Sequence, residues 1–299
     1  MNFLATYTMR SRTSAVVVVL VAAILSLLLP PFSYLSGAAL GLVTLRHGGR
    51  DGLVVMALAA SLFVLPALVS GGSGMVAIFA AVVWFPVWLL ALLLRQTVSL
   101  PLVVVAAMLL GAMSVVAIHL ALADPEAWWR GKLELLQPVL SEAGWNEIDI
   151  RQGLDVLAGA MTAMLAGAVM VTPLISLFIA RWWQAQLYNP GGWRKEFHEL
   201  RMPAPLMWVA AAVVVVALAT SGGMQRLAGD LLLLFMLGYM LQGLGVIHNL
   251  VYRRGLHVGW LVALYALLLI IPQIAVLVAV VGIVDSWADF RSRIEPDAS

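Results

Sequence analysis

The chain has 299 residues, 63% of them hydrophobic and 11% charged, with a formal net charge of +2. Soluble domains carry about 25% charged residues, so no single water-soluble core could hide this much apolar surface, and the bilayer must act as the solvent. The small net charge offers no field for nucleic acid, and the absence of cysteine excludes disulfides, thiolate metal ligands and thiol nucleophiles.

The composition predicts an all-α fold: a polytopic transmembrane helical bundle forming one integral membrane domain over 1–299, with about eight or nine membrane segments. Arg10 and Arg12 precede an apolar run over 14–29. The run resembles a signal sequence, but it ends in Pro30-Pro31 without a small-x-small cleavage site, so we read it as a retained first helix. A short second segment, 32–46, is bounded by those prolines and by the turn-rich His47-Gly48-Gly49-Arg50-Asp51-Gly52. At about 22 Å it falls short of a full span, which suits a half-helix or re-entrant piece as well as a crossing helix. Further apolar segments are expected at 52–70, 74–94, 100–123, 154–180, 204–220, 230–252 and 259–284.

Loop charge sets the orientation. With every segment crossing and the N-terminus inside, 11 of the 17 Lys and Arg fall inside and 6 outside. The C-terminal tail, with Arg291 and Arg293, is then expected outside. Two loops carry structure of their own. The external loop 124–155 places Trp129, Leu133, Leu136 and Leu140 on one helical face, predicting an amphipathic helix over 128–140 that lies on the interface or caps the bundle. The cytoplasmic loop 181–203 turns at Asn189-Pro190-Gly191-Gly192 and then sets Trp193, Phe197 and Leu200 on one face and bases on the other. That is a short interfacial helix, suited to anionic lipid or to a docked partner.

Three stretches carry a family resemblance: Ala180-Arg181-Trp182-Trp183-Gln184 through Tyr188-Asn189-Pro190-Gly191-Gly192; Gly245-Val246-Ile247-His248-Asn249 with Arg254-Gly255-Leu256; and Asp285-Ser286-Trp287-Ala288-Asp289-Phe290-Arg291. They resemble the proteobacterial branch of the YybS-like family of bacterial inner-membrane proteins. That family is distantly similar to the substrate-binding S components of energy-coupling-factor transporters. The resemblance implies an inner (plasma) membrane location and an S-component-like bundle over the first six or so helices. S components dock through Ala-x-x-x-Ala in the first helix; here only Ala22 and Ser26 stand at that spacing, a departure with serine in place of the second alanine.

No familiar catalytic centre emerges. Gly71-Gly72-Ser73-Gly74 matches the Gly-x-Ser-Gly of rhomboid proteases, but His248 is expected near the opposite face, and His119 lacks the glycine-rich surroundings of that base. His198-Glu199 lacks the second His of a zinc protease, and Gly229-Asp230 lacks an aspartyl-protease partner. The five histidines are scattered, so no metal site, cofactor or enzymatic activity is expected.

The eighth segment is more informative. Gly238, Gln242, Gly245 and Asn249 recur at helical spacing beside His248, making a small, polar face that must turn inward in lipid. Close packing with interhelical hydrogen bonds accounts for such a face. The functional alternative is a substrate cavity lined by Gln242, Gly245, His248 and Asn249, with Gln273 beside Pro272. Gly37 and Gly41, and Gly159, Ala163 and Gly167, predict internal packing seams. Arg46, Arg50, Arg181, Trp193 and Phe197 are the candidates for contact with a partner or lipid headgroup. The charges at 285–293 read as helix-end snorkelling and topology signals.

The expectation is therefore a transporter-like bundle that binds a small molecule or lipid in the membrane. It has no Gly-x-x-x-x-Gly-Lys-Ser/Thr motif of its own for ATP. The alternative is a membrane scaffold or assembly factor acting on another membrane protein through 181–203 and 128–140.

Overall fold

The computed structural model describes residues 2–70, 74, 78–288 and 291, and all regular structure among them is helical. In chain order the helices are α1 (Asn2–Thr8), α2 (Arg12–Leu25), α3 (Phe32–His47), α4 (Gly49–Ser70), α5 (Phe85–Thr97, preceded by a π-turn over Ala80–Trp84), α6 (Leu100–Ala121), α7 (Pro125–Leu133), α8 (Gln137–Glu142), α9 (Glu147–Tyr188), α10 (Gly192–His198), α11 (Ala204–Ala219), α12 (Gly223–Arg253), α13 (Gly259–Ile270) and α14 (Ile274–Ala288). Three of them, α6, α9 and α12, are long and apolar enough to cross a membrane.

The short α3 is the centre of the first half. Every residue from Ser36 to Leu45 is buried, with α2, α4, α5 and α9 packed around it. Small residues make this possible. A Cβ on Gly37 would meet Ser176 Oγ at 2.6 Å, and one on Gly41 would meet Ala180 Cβ at 3.1 Å, so each glycine admits a small side chain of α9 along the predicted internal seam. Trp84 Nε1 donates to Ser36 Oγ (2.9 Å), which donates to the Val19 carbonyl (2.8 Å), joining α5, α3 and α2. Arg12 meets Asp51 at 2.5 Å, so α2 starts at the end of the bundle where α3 turns into α4. The α2–α3 pair therefore leaves later loops on the same side, however deep its turn reaches.

The second half is built on α9 and α12. α9 runs 42 residues, well beyond the apolar stretch 154–180. Asn146 caps its start, accepting from Asp149 N–H at 2.8 Å. Its far end stays helical because Trp183 and Ala185 are buried against the bundle. α12 packs closely on α14. A Cβ on Gly243 would overlap the Val278 carbonyl oxygen, and one on Gly282 the Tyr239 carbonyl oxygen.

Three expectations are corrected. The apolar run 259–284 is two helices, α13 and α14, broken at Ile271-Pro272-Gln273. Pro272 has no N–H to continue the ladder, so the run is interrupted into limbs of ~18 and ~22 Å. Both ends of this unit return to one end of α12: Val258 and Val251 line one cavity, and Arg253 donates to the Arg291 carbonyl at 3.1 Å. Arg291 consequently lies beside the 181–203 loop, not at the opposite face. The amphipathic run in 124–155 is also not one helix. It tightens to a 3-10 turn at Glu134–Leu136 ahead of Pro138, and Leu135, Leu136 and Val139 are exposed. Finally, Asp285 is not a snorkelling charge but is fully buried. The glycine turn at 71–73 and residues Asp289 and Arg293 lie outside the described residues.

Candidate functional site

The bases at one end of the bundle are tied together by contacts. Arg95 donates to the Leu45 and Arg46 carbonyls (2.6 and 2.8 Å), Arg46 stacks over Tyr188 (4.3 Å), and Arg181 forms a bidentate pair with Glu196 on α10. Arg50 is exposed. The Arg181–Glu196 pair clamps α10 onto α9 just after the turn in which Gly191 takes the left-handed conformation (φ +89°) that glycine adopts without penalty. The aromatic face of α10 is turned inward as a result: Trp193 lies 5.1 Å from the Phe178 ring, and Phe197 lies 5.5 Å from His248.

Between α10, α12 and α13 this leaves a cavity of about 810 Å³. Trp193 and Phe197 form one wall, Leu241, Leu244 and His248 another, and Leu261 and Tyr265 the outer one. His248 Nε2 shares a hydrogen bond of 2.9 Å with Tyr265 Oη, the side-chain tie between α12 and α13. No residue of α13 is buried, so the outer wall is a helix that faces the surroundings on its other side. His198 lies at the inner rim. Burial, together with His248, Arg194 and Arg253, lowers its pKa from 6.5 to about 4, so it is neutral near pH 7. The arrangement is an apolar, aromatic chamber with a few polar tips, as ligand cavities commonly are.

The structure separates the residues expected to line a cavity. His248 lines it, together with Trp193 and Phe197, which had been assigned to partner or lipid contact. Gln242 is fully buried behind it and spends its amide on packing. Oε1 accepts Met202 N–H (2.8 Å), and Nε2 donates to the Gly282 carbonyl (2.9 Å), Asp285 Oδ2 (3.1 Å) and Ser286 Oγ (3.0 Å). Asp285 is paired with Arg291 at 2.6 Å, and Arg291 donates to the His198 and Leu200 carbonyls. This network locks the 198–202 segment between α12 and α14. Gly245 admits the Phe197 carbonyl at 2.6 Å from where its Cβ would stand. Asn249 is buried and donates to the His198 carbonyl over 3.4 Å. Gln273 is exposed in the α13–α14 turn. Leucine at 242 would leave the Met202 N–H without its acceptor, and leucine at 249 would remove the donor to the His198 carbonyl, so both changes disturb packing as well as any ligand site.

Tyr252, Tyr265, His198 and Arg194 were not singled out from sequence as lining residues. Tyr265 did leave a signal, as the one hydroxyl-bearing side chain in the run 259–270. At the opposite end of the bundle, His119 Nε2 meets Asp230 Oδ2 at 2.8 Å, joining α6 to α12, while Arg226 pairs with Asp124 (3.2 Å) and Glu126 (3.0 Å). Among the described residues no group of three or more metal-ligating side chains is present.

Residues 136–286 match the family model described as predicted membrane protein (DUF2232). No curated protein and no solved structure matches the chain.

Proposed function

Since the chain belongs to that family of predicted membrane proteins, we propose that it is a multi-pass membrane protein whose basic end binds an amphiphilic small molecule or lipid. The observation that carries this reading is the cavity of about 810 Å³ under α13, walled by Trp193, Phe197, Leu241 and Leu244 and tipped with His248 and Tyr265. An aromatic, leucine-rich chamber suits the apolar part of such a ligand, and the His and Tyr tips suit a polar part. In this reading eight helices cross and α13–α14 dips in and returns. Arg291 joins the eleven bases of one end, while Arg130, Lys132, Arg151 and Arg226 remain at the other. That asymmetry supports a cytoplasmic basic end, with the N-terminus and the ligand site on the same side, and the family resemblance supports a bacterial inner membrane. Scaffolding through an exposed aromatic face is less favoured, because Trp193 and Phe197 are spent on the cavity.

Native mass spectrometry of protein purified in mild detergent tests the proposal. A discrete amphiphile adduct is expected on the wild type and not on Leu261→Trp, which fills the chamber from its half-exposed outer wall. A folded wild type that carries no adduct, and binds none when amphiphiles are added, would refute it.

A further inference from the structure

We infer that the aromatic cavity and a basic cavity next to it form one site, and that its ligand is an amphiphile carrying a phosphate headgroup. This rests on the amphiphile reading above. The second cavity, of about 280 Å³, lies on the other side of His198 and shares Arg194, His198 and Tyr252 with the first. Among the described residues it adds Lys195, Arg253 and Asn249, with one lining carboxylate, Glu199. Arg194 and Lys195 against Glu199 leave an excess of positive charge where the apolar chamber ends.

The geometry suits phosphate in particular. Arg194 stands over the Tyr252 ring at 4.9 Å, on the boundary of the two cavities, where its planar fork is presented to an oxyanion. His198, neutral near pH 7, supplies an N–H without adding charge. Asn249 is 5% exposed, and its Oδ1 has no partner among the described residues. A buried acceptor left open in this way fits a hydroxyl or protonated oxygen of the headgroup. The apolar chamber continues from this niche to α13, which has no buried residue and is tied to α12 by His248 and Tyr265. A hydrocarbon chain can thus leave sideways into the bilayer while its phosphate stays at the basic end.

The test titrates the full-length protein in neutral detergent by native mass spectrometry with three probes: dioctanoyl phosphatidic acid, dioctanoyl glycerol with the same chains and no phosphate, and inorganic phosphate. The wild type should prefer the phosphatidic acid by at least about tenfold, the scale of a charge-assisted bidentate contact. Arg194→Gln with Lys195→Gln should bring phosphatidic acid down to the affinity of dioctanoyl glycerol measured on the same variant, whereas Leu261→Trp should weaken both lipids. Equal wild-type affinity for the two lipids, with Leu261→Trp still weakening both, overturns the phosphate assignment and leaves the amphiphile reading standing. No lipid binding at all defeats both. Inorganic phosphate binding as tightly as the phosphatidic acid overturns the lipid source and assigns the niche to free phosphate.

Discussion

Asp285 and Arg291 show how much a single buried pair carries here. Asp285 is fully buried and Arg291 is 8% exposed, and between them they hold Gln242, His198 and Leu200 in place. Removing one partner leaves a buried charge unpaired, so Arg291→Leu should cost about 3–5 kcal/mol. The double change Asp285→Leu with Arg291→Leu should cost less than either single change. Chemical unfolding in detergent measures both, and equal losses for the single and double variants would contradict the pairing. His198 makes a pH prediction of a different kind. Its folded pKa is lowered to about 4 from 6.5, so as pH falls the unfolded chain takes up the proton first. The stability present above about pH 6.5 is therefore lost progressively between about 6.5 and 4. His198→Asn cannot titrate and should flatten the wild-type slope in that window; parallel slopes for the two proteins would show that His198 is not the titrating group.

At the scale of elements, the tightest crossing at any glycine among the described residues is α12 against α14, where the backbone of each helix occupies the space a side chain would need on the other. Interfaces in lipid gain little from hydrophobic driving force and rely on such packing. Gly243→Ala and Gly282→Ala should each destabilise by about 1–3 kcal/mol through overpacking. Gly229→Ala, also in α12 but facing open space, should instead stabilise by about 0.5–1 kcal/mol by restricting the unfolded chain. Thermal melts of the three variants separate crowding from helix propensity, because propensity alone would move all three upward. The α13–α14 unit depends on this contact, since α13 itself is held mainly across the cavity it covers.

For the whole molecule, the question is which ends share a face. The protein has no cysteine, so single introduced cysteines report accessibility cleanly. Ser11→Cys and His257→Cys should label from one side of sealed vesicles, and Gly131→Cys and Ser221→Cys from the other. A tag fused after the C-terminus should report the side of His257, because the α13–α14 unit returns to the end it left. A tag on the opposite side would mean that this unit crosses, and the charge asymmetry would fall back to eleven against six.

Composition and periodicity by themselves determined that the chain is a helical membrane protein, placed most of its apolar segments, and marked the Gly37–Gly41 seam, the turn at Asn189-Pro190-Gly191-Gly192 and the aromatic face of α10. These are local properties: bulk hydrophobicity, a 3.6-residue repeat and glycine conformation act within a few residues of themselves. Only the tertiary structure decided what each face meets. Gln242 and Asn249 look alike on a helical wheel to any cavity-lining amide, yet Gln242 is consumed by Met202 and by residues of α14 forty positions away. Trp193 and Phe197 look like a membrane-facing stripe, yet the Arg181–Glu196 pair turns them onto Phe178 and His248. Pro272 was visible as a possible kink, but the return of α14 to the basic end rests on the Gly243–Gly282 crossing and on Arg291, contacts between residues that are distant in sequence. Hydrogen-bond satisfaction and close packing are pairwise, so a site assembled from α9, α10, α12 and α13 becomes legible only when those helices stand side by side.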